Sequence, residues 1–397
     1  MKYLRALSLT MYRNMRLLFP AVCILALPWT LQTSEHPFQP GSARAAGMGN
    51  TWIACTAPED APFYNPSFLA TEEKRFTLFR LLSAASGDGL DLIFGSEGSD
   101  IQKWGKNDPT ALPLPEEFLN RMSAFDAFYG LSAPLFLAYK GEGFGLGLYS
   151  SSRGEFISQG TTLPTVDLQH DFDVGGIAGL AFNIKLDSEN DHNLKFGANI
   201  KYLIRVRHEA SNIPLSEAAG LANPFKFSTD FQIGQAIGSD LAITWRSPAF
   251  SAGLVWYDWF GTALSWTAYS SDFGEREIVI PDTRINPSLG IGVAYTPVSF
   301  FGIPPQIISE VQVALDIRGI FEEQDSFFKM IHAGFESVLF HFITLRLGLN
   351  AGYPTGGLGI SLLKVFYFDY ALVVEERGRF PGQEPLTLHT LSFTIMF

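Results

Sequence analysis

The chain has 397 residues with 28 Lys and Arg against 40 Asp and Glu, and its formal net charge of −12 argues against nucleic acid as a partner. Charged residues make up 17% while Phe reaches 35 and Gly 37, well below the roughly 25% charge of an ordinary soluble domain, so much of the surface is not expected to face water. No window offers the roughly 20 apolar residues of a helical span, and Cys23 and Cys55 alone cannot make a disulfide framework.

A chain that is apolar, aromatic and glycine-rich without a helical span predicts an all-β transmembrane barrel, where lipid-facing residues alternate with polar ones. In chain order, Lys2, Arg5, Arg13 and Arg16 precede an apolar run from Leu17 to Leu27. That run has signal-peptide length and is too short to span. Residues 1–35 are therefore read as a signal peptide, with cleavage between Pro28 and His36. Cys23 lacks a convincing lipobox and leaves with the signal, so no lipoprotein is predicted.

Residues 36–73 contain Gly41-Ser42-Ala43-Arg44-Ala45-Ala46-Gly47-Met48-Gly49 and then Tyr64-Asn65-Pro66-Ser67-Phe68-Leu69-Ala70. Small residues and glycine favour tight turns and close approach, and Asn65-Pro66 is a turn signal. Taken by itself the stretch fits a glycine-rich linker as well as a compact irregular element.

The barrel is assigned to residues 74–397. Strands are expected at about 74–82, 125–139, 143–157, 171–186, 193–208, 227–246 and 249–261, then 284–296, 306–320, 327–338, 342–351, 356–363, 364–376 and 386–397. A short helix is expected at Pro115–Met122. The clearest strand is Asn193–His208. Leu194, Phe196, Ala198, Ile200, Tyr202, Ile204 and Val206 form one face, and Lys195, Gly197, Asn199, Lys201, Arg205 and Arg207 the other, interrupted by Leu203. Alternation of that length exceeds the usual soluble strand of about 5–6 residues and suits a tilted membrane strand more than a soluble sandwich.

About fourteen strands result, an even number as in bacterial barrels. Short connections at 140–142, 186–192, 247–248, 339–341 and 363–364 alternate with long ones at 83–124, 158–170, 209–226, 262–283 and 377–385. Short periplasmic turns and long external loops are the expected asymmetry, which places both termini in the periplasm. The chain ends Leu391-Ser392-Phe393-Thr394-Ile395-Met396-Phe397, and this resembles the C-terminal signal read by the outer-membrane barrel assembly machinery. Trp245, Trp256, Trp259 and Trp266 fall where interface girdles belong.

Gly41-x-x-Arg44-x-x-Gly47-Met48-Gly49, followed by Asn65-Pro66-Ser67-x-Leu69-Ala70, resembles the N-terminal hatch of FadL-type outer-membrane transporters. In that family the second element usually reads Asn-Pro-Ala after an Asp-Ala pair; Asp60-Ala61 and Ser67 fit with one change. The C-terminal part resembles the PorV-like branch through Leu345-Arg346-Leu347-Gly348, Gly352-Tyr353, Gly356-Gly357-Leu358-Gly359 and Phe368-Asp369-Tyr370-Ala371. The resemblance implies a fourteen-stranded barrel in the outer membrane of a diderm bacterium, plugged by its hatch. It also implies uptake of long-chain fatty acids or similar hydrophobic molecules, with hatch movement opening a path and a kinked strand allowing lateral release.

Gly41, Arg44, Gly47, Met48, Gly49, Asn65, Pro66 and Ser67 are then the hatch and gating residues. An acid head group needs cations or donors in the lumen, which Lys195, Lys201, Arg205 and Arg207 offer. Alternatively these cations pair with Glu310, Asp316 or Asp369, the ordinary fate of buried charge. Seven scattered histidines without a metal-ligand spacing, and no local Ser–His motif, give catalysis and cofactors little support. The competing function is a non-transporting PorV-like barrel that binds secreted or surface proteins.

Overall fold

The computed structural model describes residue 35 and residues 39–94, 125–132, 135–159, 165–187, 191–214, 231–269, 278–320, 322 and 326–397. The signal segment up to residue 34 and the helix expected at Pro115–Met122 lie outside the described residues.

The strands are β1 (Arg75–Ser86), β2 (Asp126–Ser132), β3 (Phe136–Lys140), β4 (Phe144–Gln159), β5 (Thr165–Asp187), β6 (His192–Pro214), β7 (Phe231–Arg246), β8 (Phe250–Tyr257) and β9 (Thr262–Tyr269). They continue with β10 (Ile278–Ile285), β11 (Ser288–Tyr295), β12 (Ile308–Ile317), β13 (Ile331–Leu339), β14 (Ile343–Asn350), β15 (Tyr353–Leu362), β16 (Phe366–Glu376) and β17 (Pro385–Met396). The seventeen segments form fourteen antiparallel wall strands, because β2 with β3, β8 with β9 and β10 with β11 each make up one. Pairing of Thr77 with Met396 through Ser86 with Leu388 closes the sheet into a barrel. The terminal Phe397 and Phe76 exchange two backbone hydrogen bonds of 2.9 Å at that seam.

Several strands run further than their sequence pattern suggests. β5 and β6 have 23 residues each, about 75 Å at the usual rise, so the loops expected at 158–170 and 209–226 are partly wall. The loop expected at 262–283 is also largely wall, formed by β9 and β10. Polar residues such as Asp167 and Gln169 mask this continuation, because polar residues suit a lumen as well as a loop. At the long-loop end β14 meets β15 through Ala351 and Gly352 alone.

Inward and outward residues alternate as the sequence predicts. On β6, Lys201 is 4% exposed and Arg205 2%, whereas Ile200 is 58% and Tyr202 44% exposed. Leu146, Leu180, Ile237, Leu347 and Leu391 continue the exposed apolar band around the barrel, the face a lipid bilayer covers. Aromatic pairs cluster near the short-turn end: Phe182 lies 5.2 Å from Phe196, Phe250 4.6 Å from Tyr295, and Phe368 4.8 Å from Phe393. Trp245 stacks on His192 there at 5.6 Å. Trp266 is not a girdle residue; it is buried in the lumen and donates to Thr283 at 2.7 Å.

In detergent the folded protein is expected to give a β-dominated circular dichroism spectrum and to migrate faster on gels unboiled than boiled. Deleting Phe397 removes both seam hydrogen bonds and the terminal aromatic. Assembled protein, measured as the heat-modifiable fraction, should fall several-fold, and unchanged levels would refute the role given to this residue.

Candidate functional site: the plugged lumen

Residues 39–71 are short helical turns and irregular backbone packed inside the barrel. Ser42 caps the helix Ala43–Gly47 by accepting from the Ala45 amide. Asn65 caps the 3-10 turn Pro66–Ala70. Its Oδ1 accepts from the Ser67 amide at 3.0 Å and the Ser67 hydroxyl at 2.6 Å. Its Nδ2 donates to the Ile53 carbonyl at 2.6 Å and to Thr244 Oγ1 on β7 at 3.2 Å. One fully buried amide therefore joins two parts of the plug to the wall, with its hydrogen-bonding capacity filled.

Arg44 makes the second anchor. It reaches Glu336 on β13 at 2.8 Å and Gln312 on β12 at 3.0 Å, and donates to the Cys55 carbonyl at 3.0 Å. Glu336 is shared with Arg346 at 2.6 Å, which in turn meets Asp369 at 2.6 Å. Burial opposes the Arg44 charge, but the Glu336 carboxylate outweighs it and raises the guanidinium above its ordinary value. Asp316 is the third anchor, accepting from the amides of Trp52 at 2.8 Å and Ile53 at 3.0 Å.

Close approach explains the glycines. Gly49 has φ +66°, and a Cβ there would collide with the Ala333 and Leu349 carbonyl oxygens; at Gly47 it would lie 3.1 Å from Gly357 Cα. On the wall, a Cβ at Gly197 would collide with the Pro66–Ser67 backbone. Met48 is fully buried among Ala54, Cys55, Ala294 and Ala314, and Gly41 lies against Leu82.

The four lumen cations do not form one site. Arg205 pairs bidentately with Asp173 and Arg207 with Asp171, and both reach Glu35. Lys201 sits apart, 2.8 Å from Asp240 and 3.0 Å from Asp258. Lys195 is buried towards the short-turn end, with no ion pair among the described residues. The counter-charges are thus not Glu310, Asp316 and Asp369. The partners of Lys201, Arg205 and Arg207 come from neighbouring strands, from the turn between β8 and β9 and from residue 35, a register that composition does not reveal.

Among the described residues the wall is interrupted beside the plug. β1 pairs with β3 over Arg75–Thr77 and with β2 over Leu82–Ala85, so Leu78–Leu81 lack ladder partners on that side among the described residues. Inside this gap Arg80 meets Asp60 of the plug at 2.7 Å and lies 4.4 Å from the Phe136 ring centroid. Phe63 of the plug packs 5.6 Å from Phe136 and 5.5 Å from Tyr149. Outside, beside the same gap, Leu135, Leu137, Leu146, Leu148 and Tyr202 line an apolar depression of about 700 Å³. Within the lumen, a polar chamber of about 460 Å³ lies on the short-turn side of the plug, lined by Arg44, Arg80, Arg246, Glu310 and Glu336 among others.

Asp60, Thr244, Asp316 and Glu35 carry much of this architecture, and the sequence pattern singles out only Asp60 among them as part of the plug. Asp60 precedes the turn motif, which is a usable signal. Thr244 and Asp316 sit at ordinary inward positions and give none.

No protein-family model and no curated protein matches the sequence. Among solved structures the chain is similar to a deltaS2S3 mutant of the TodX monoaromatic hydrocarbon channel, at 13% identity over 90% of this chain and 98% of that one, TM-score 0.47. It is also similar to the P. putida toluene transporter TodX, at 13% identity, 91% and 98% coverage and TM-score 0.45. A third is a Pseudomonas aeruginosa FadL homologue, at 10% identity, 92% and 99% coverage and TM-score 0.41.

Cys55 reports on the plug. Burial, reinforced by the Asp316 carboxylate, pushes its thiol up to about 12. At pH 8 maleimide labelling of the processed barrel should be on the order of a thousandfold slower than in the urea-unfolded chain, from thiolate fraction alone. Asn65→Ala strands buried partners at about 1–3 kcal/mol each. It should speed labelling at least tenfold while heat-modifiability is kept. Equal rates in folded and unfolded protein would contradict the enclosed plug.

Proposed function

We propose that the chain is an outer-membrane channel of FadL type that takes up hydrophobic molecules, long-chain fatty acids among them, with residues 39–71 as its gate. The observation that carries this reading is the seal at the wall gap. Asp60 and Phe63 of the plug close, from the lumen, the stretch where the first two wall strands are unpaired, and an apolar depression lies on the lipid side of that stretch. A hydrophobic solute needs a route past polar surface layers and a way into the bilayer. Withdrawing Phe63 and breaking the Asp60–Arg80 pair would join lumen to lipid without unfolding a strand.

The anchors suit a switch between two arrangements. They are few, polar and specific, and a packed element with discrete contacts moves as a unit. Met48, Gly47 and Gly49 hold one end of the plug against β13–β15, and Asn65-Pro66-Ser67 hold the other against β6 and β7. Arg44 lines the polar chamber, and Gly41 lies against Leu82 of β1. The rival reading, a PorV-like barrel that binds secreted or surface proteins, draws support from the many internal ion pairs that fill the lumen.

The test is uptake of a labelled long-chain fatty acid and entry of a small dye in a heterologous outer membrane, compared at equal surface levels. Asn65→Ala should change fatty acid uptake at least threefold, and Gly49→Leu should raise dye entry by a similar factor. The barrel should remain assembled in both, since no strand depends on either residue. Wild-type values for both variants would remove the gate and favour the protein-binding reading.

A further inference from the structure

We propose that the short-turn ends of β11 to β16 form an apolar foot seated in the phospholipid leaflet on that side of the membrane. Phe301, Phe340 and Leu363 insert among the acyl chains, and His341 and Lys364 meet the lipid phosphates. The foot belongs to the barrel wall and is independent of what the lumen carries.

Three neighbouring turns share one backbone design. Each is closed by an amide three residues on: Ile303 donates to the Phe300 carbonyl at 2.9 Å, Phe342 to Leu339 at 3.1 Å and Val365 to Leu362 at 3.1 Å. Both central residues of each turn have positive φ. Phe301 and Gly302 are at 48° and 70°, Phe340 and His341 at 50° and 66°, and Leu363 and Lys364 at 55° and 54°. Hairpin turns of that kind ordinarily carry Asn, Asp or Gly, because a bulky side chain strains the left-handed region. Here the first central place holds Phe, Phe and Leu. Among the described residues, the short turns after β3 and β5 put Gly143 and Asp191 at positive φ, the residue types that tolerate it. A bulky residue kept against backbone preference points to a contact outside the turn.

The tips make one edge. The Phe340 amide donates to the Ile307 carbonyl at 2.9 Å, and the Ser361 amide to the Phe342 carbonyl at 2.8 Å, so the turns lie side by side. Val298 is 91% exposed, Phe301 88% and Leu363 86%, and Phe340 is more than half exposed. Large apolar groups gathered on one edge mark a contact surface. Exposed Ile360, Leu362, Phe366 and Phe368 carry the outward apolar band of β15 and β16 down to it. The foot therefore continues the face that lipid already covers.

Charge selects the same occupant. Residues 296–307, 339–342 and 362–366 contain no Asp or Glu, and their basic groups are His341 and Lys364. Each base directly follows an apolar tip residue, an order that suits a leaflet: the tip lies among acyl chains while the base reaches a phosphate. The short turns after β3 and β5 instead bear Glu142, Asp187 and Asp191, which water solvates. The barrel is thus seated more deeply on one side. A protein partner would account for the exposure but not for the continuity with the lipid-facing band.

The experiment attaches a bimane label to single cysteines, Phe301→Cys, Leu363→Cys and the control Glu142→Cys. The protein is the processed full-length barrel carrying Cys23→Ala and Cys55→Ala, in nanodiscs of phosphatidylcholine and phosphatidylglycerol. Quenching by a nitroxide-bearing lipid should be about threefold stronger at positions 301 and 363 than at 142, and quenching by iodide correspondingly weaker, as for side chains held below the interface. Val298→Cys replaces either variant that is not heat-modifiable. With His341→Glu and Lys364→Glu added, lipid quenching at position 301 should fall by about half; an unchanged value overturns the phosphate contact. Equal quenching at all three positions by both agents overturns the foot. Labels open to iodide in nanodiscs but shielded in native outer-membrane fragments would reveal a protein cover, which overturns the lipid seat as well.

Discussion

Irregular backbone enclosed by a barrel must have its polar groups answered from the wall, because buried donors and acceptors without partners are costly. Asn65 with Thr244, Asp316 with the Trp52 and Ile53 amides, and Arg44 with Glu336 meet that demand. Each wall partner is an inward residue of a strand whose outward neighbours face lipid. The alternation that makes the chain a membrane barrel thus also supplies the lumen chemistry. The plug backbone therefore depends on the polar inner face for its partners.

The interior is divided by chemistry. On the long-loop side of the plug, Leu203, Leu264 and Trp266 gather into an apolar cluster next to the ion pairs of Arg205 and Arg207. On the short-turn side the chamber is lined by charged groups. Phe63 belongs to the first region and Arg44 borders the second, so a short segment stands between an apolar cluster and a charged chamber.

Barrel class, strand number and face assignment are legible in the residues because few folds besides a membrane barrel sustain period-2 hydrophobicity over such long runs. Strand ends are not: Asp167 and Gln169, and Leu264 and Trp266 in a stretch that resembles a loop, carry polar or irregular patterns that suit wall and loop alike. The hatch residues are visible as glycines and an Asn-Pro turn, since backbone demands leave a local trace. Their partners are invisible, because Thr244 and Asp316 are unremarkable in sequence and meet the plug only through register. Glu35 falls within the signal segment when apolar run length alone decides, yet it lies among two arginines and a threonine.

The seam between β1 and β17 joins residues more than three hundred positions apart, Thr77 against Met396. Contacts so distant in the chain form late, after the entropy of ordering everything between them has been met. The plug precedes β1 and is held on the inside by strands from β6 to β16. Its anchors on β6 and β7 and on β12 to β15 are all in place only when the sheet has curved around it. Closing the seam and seating the plug therefore draw on the same curvature: the wall that meets itself at β1 and β17 is also the wall that answers the plug from both sides.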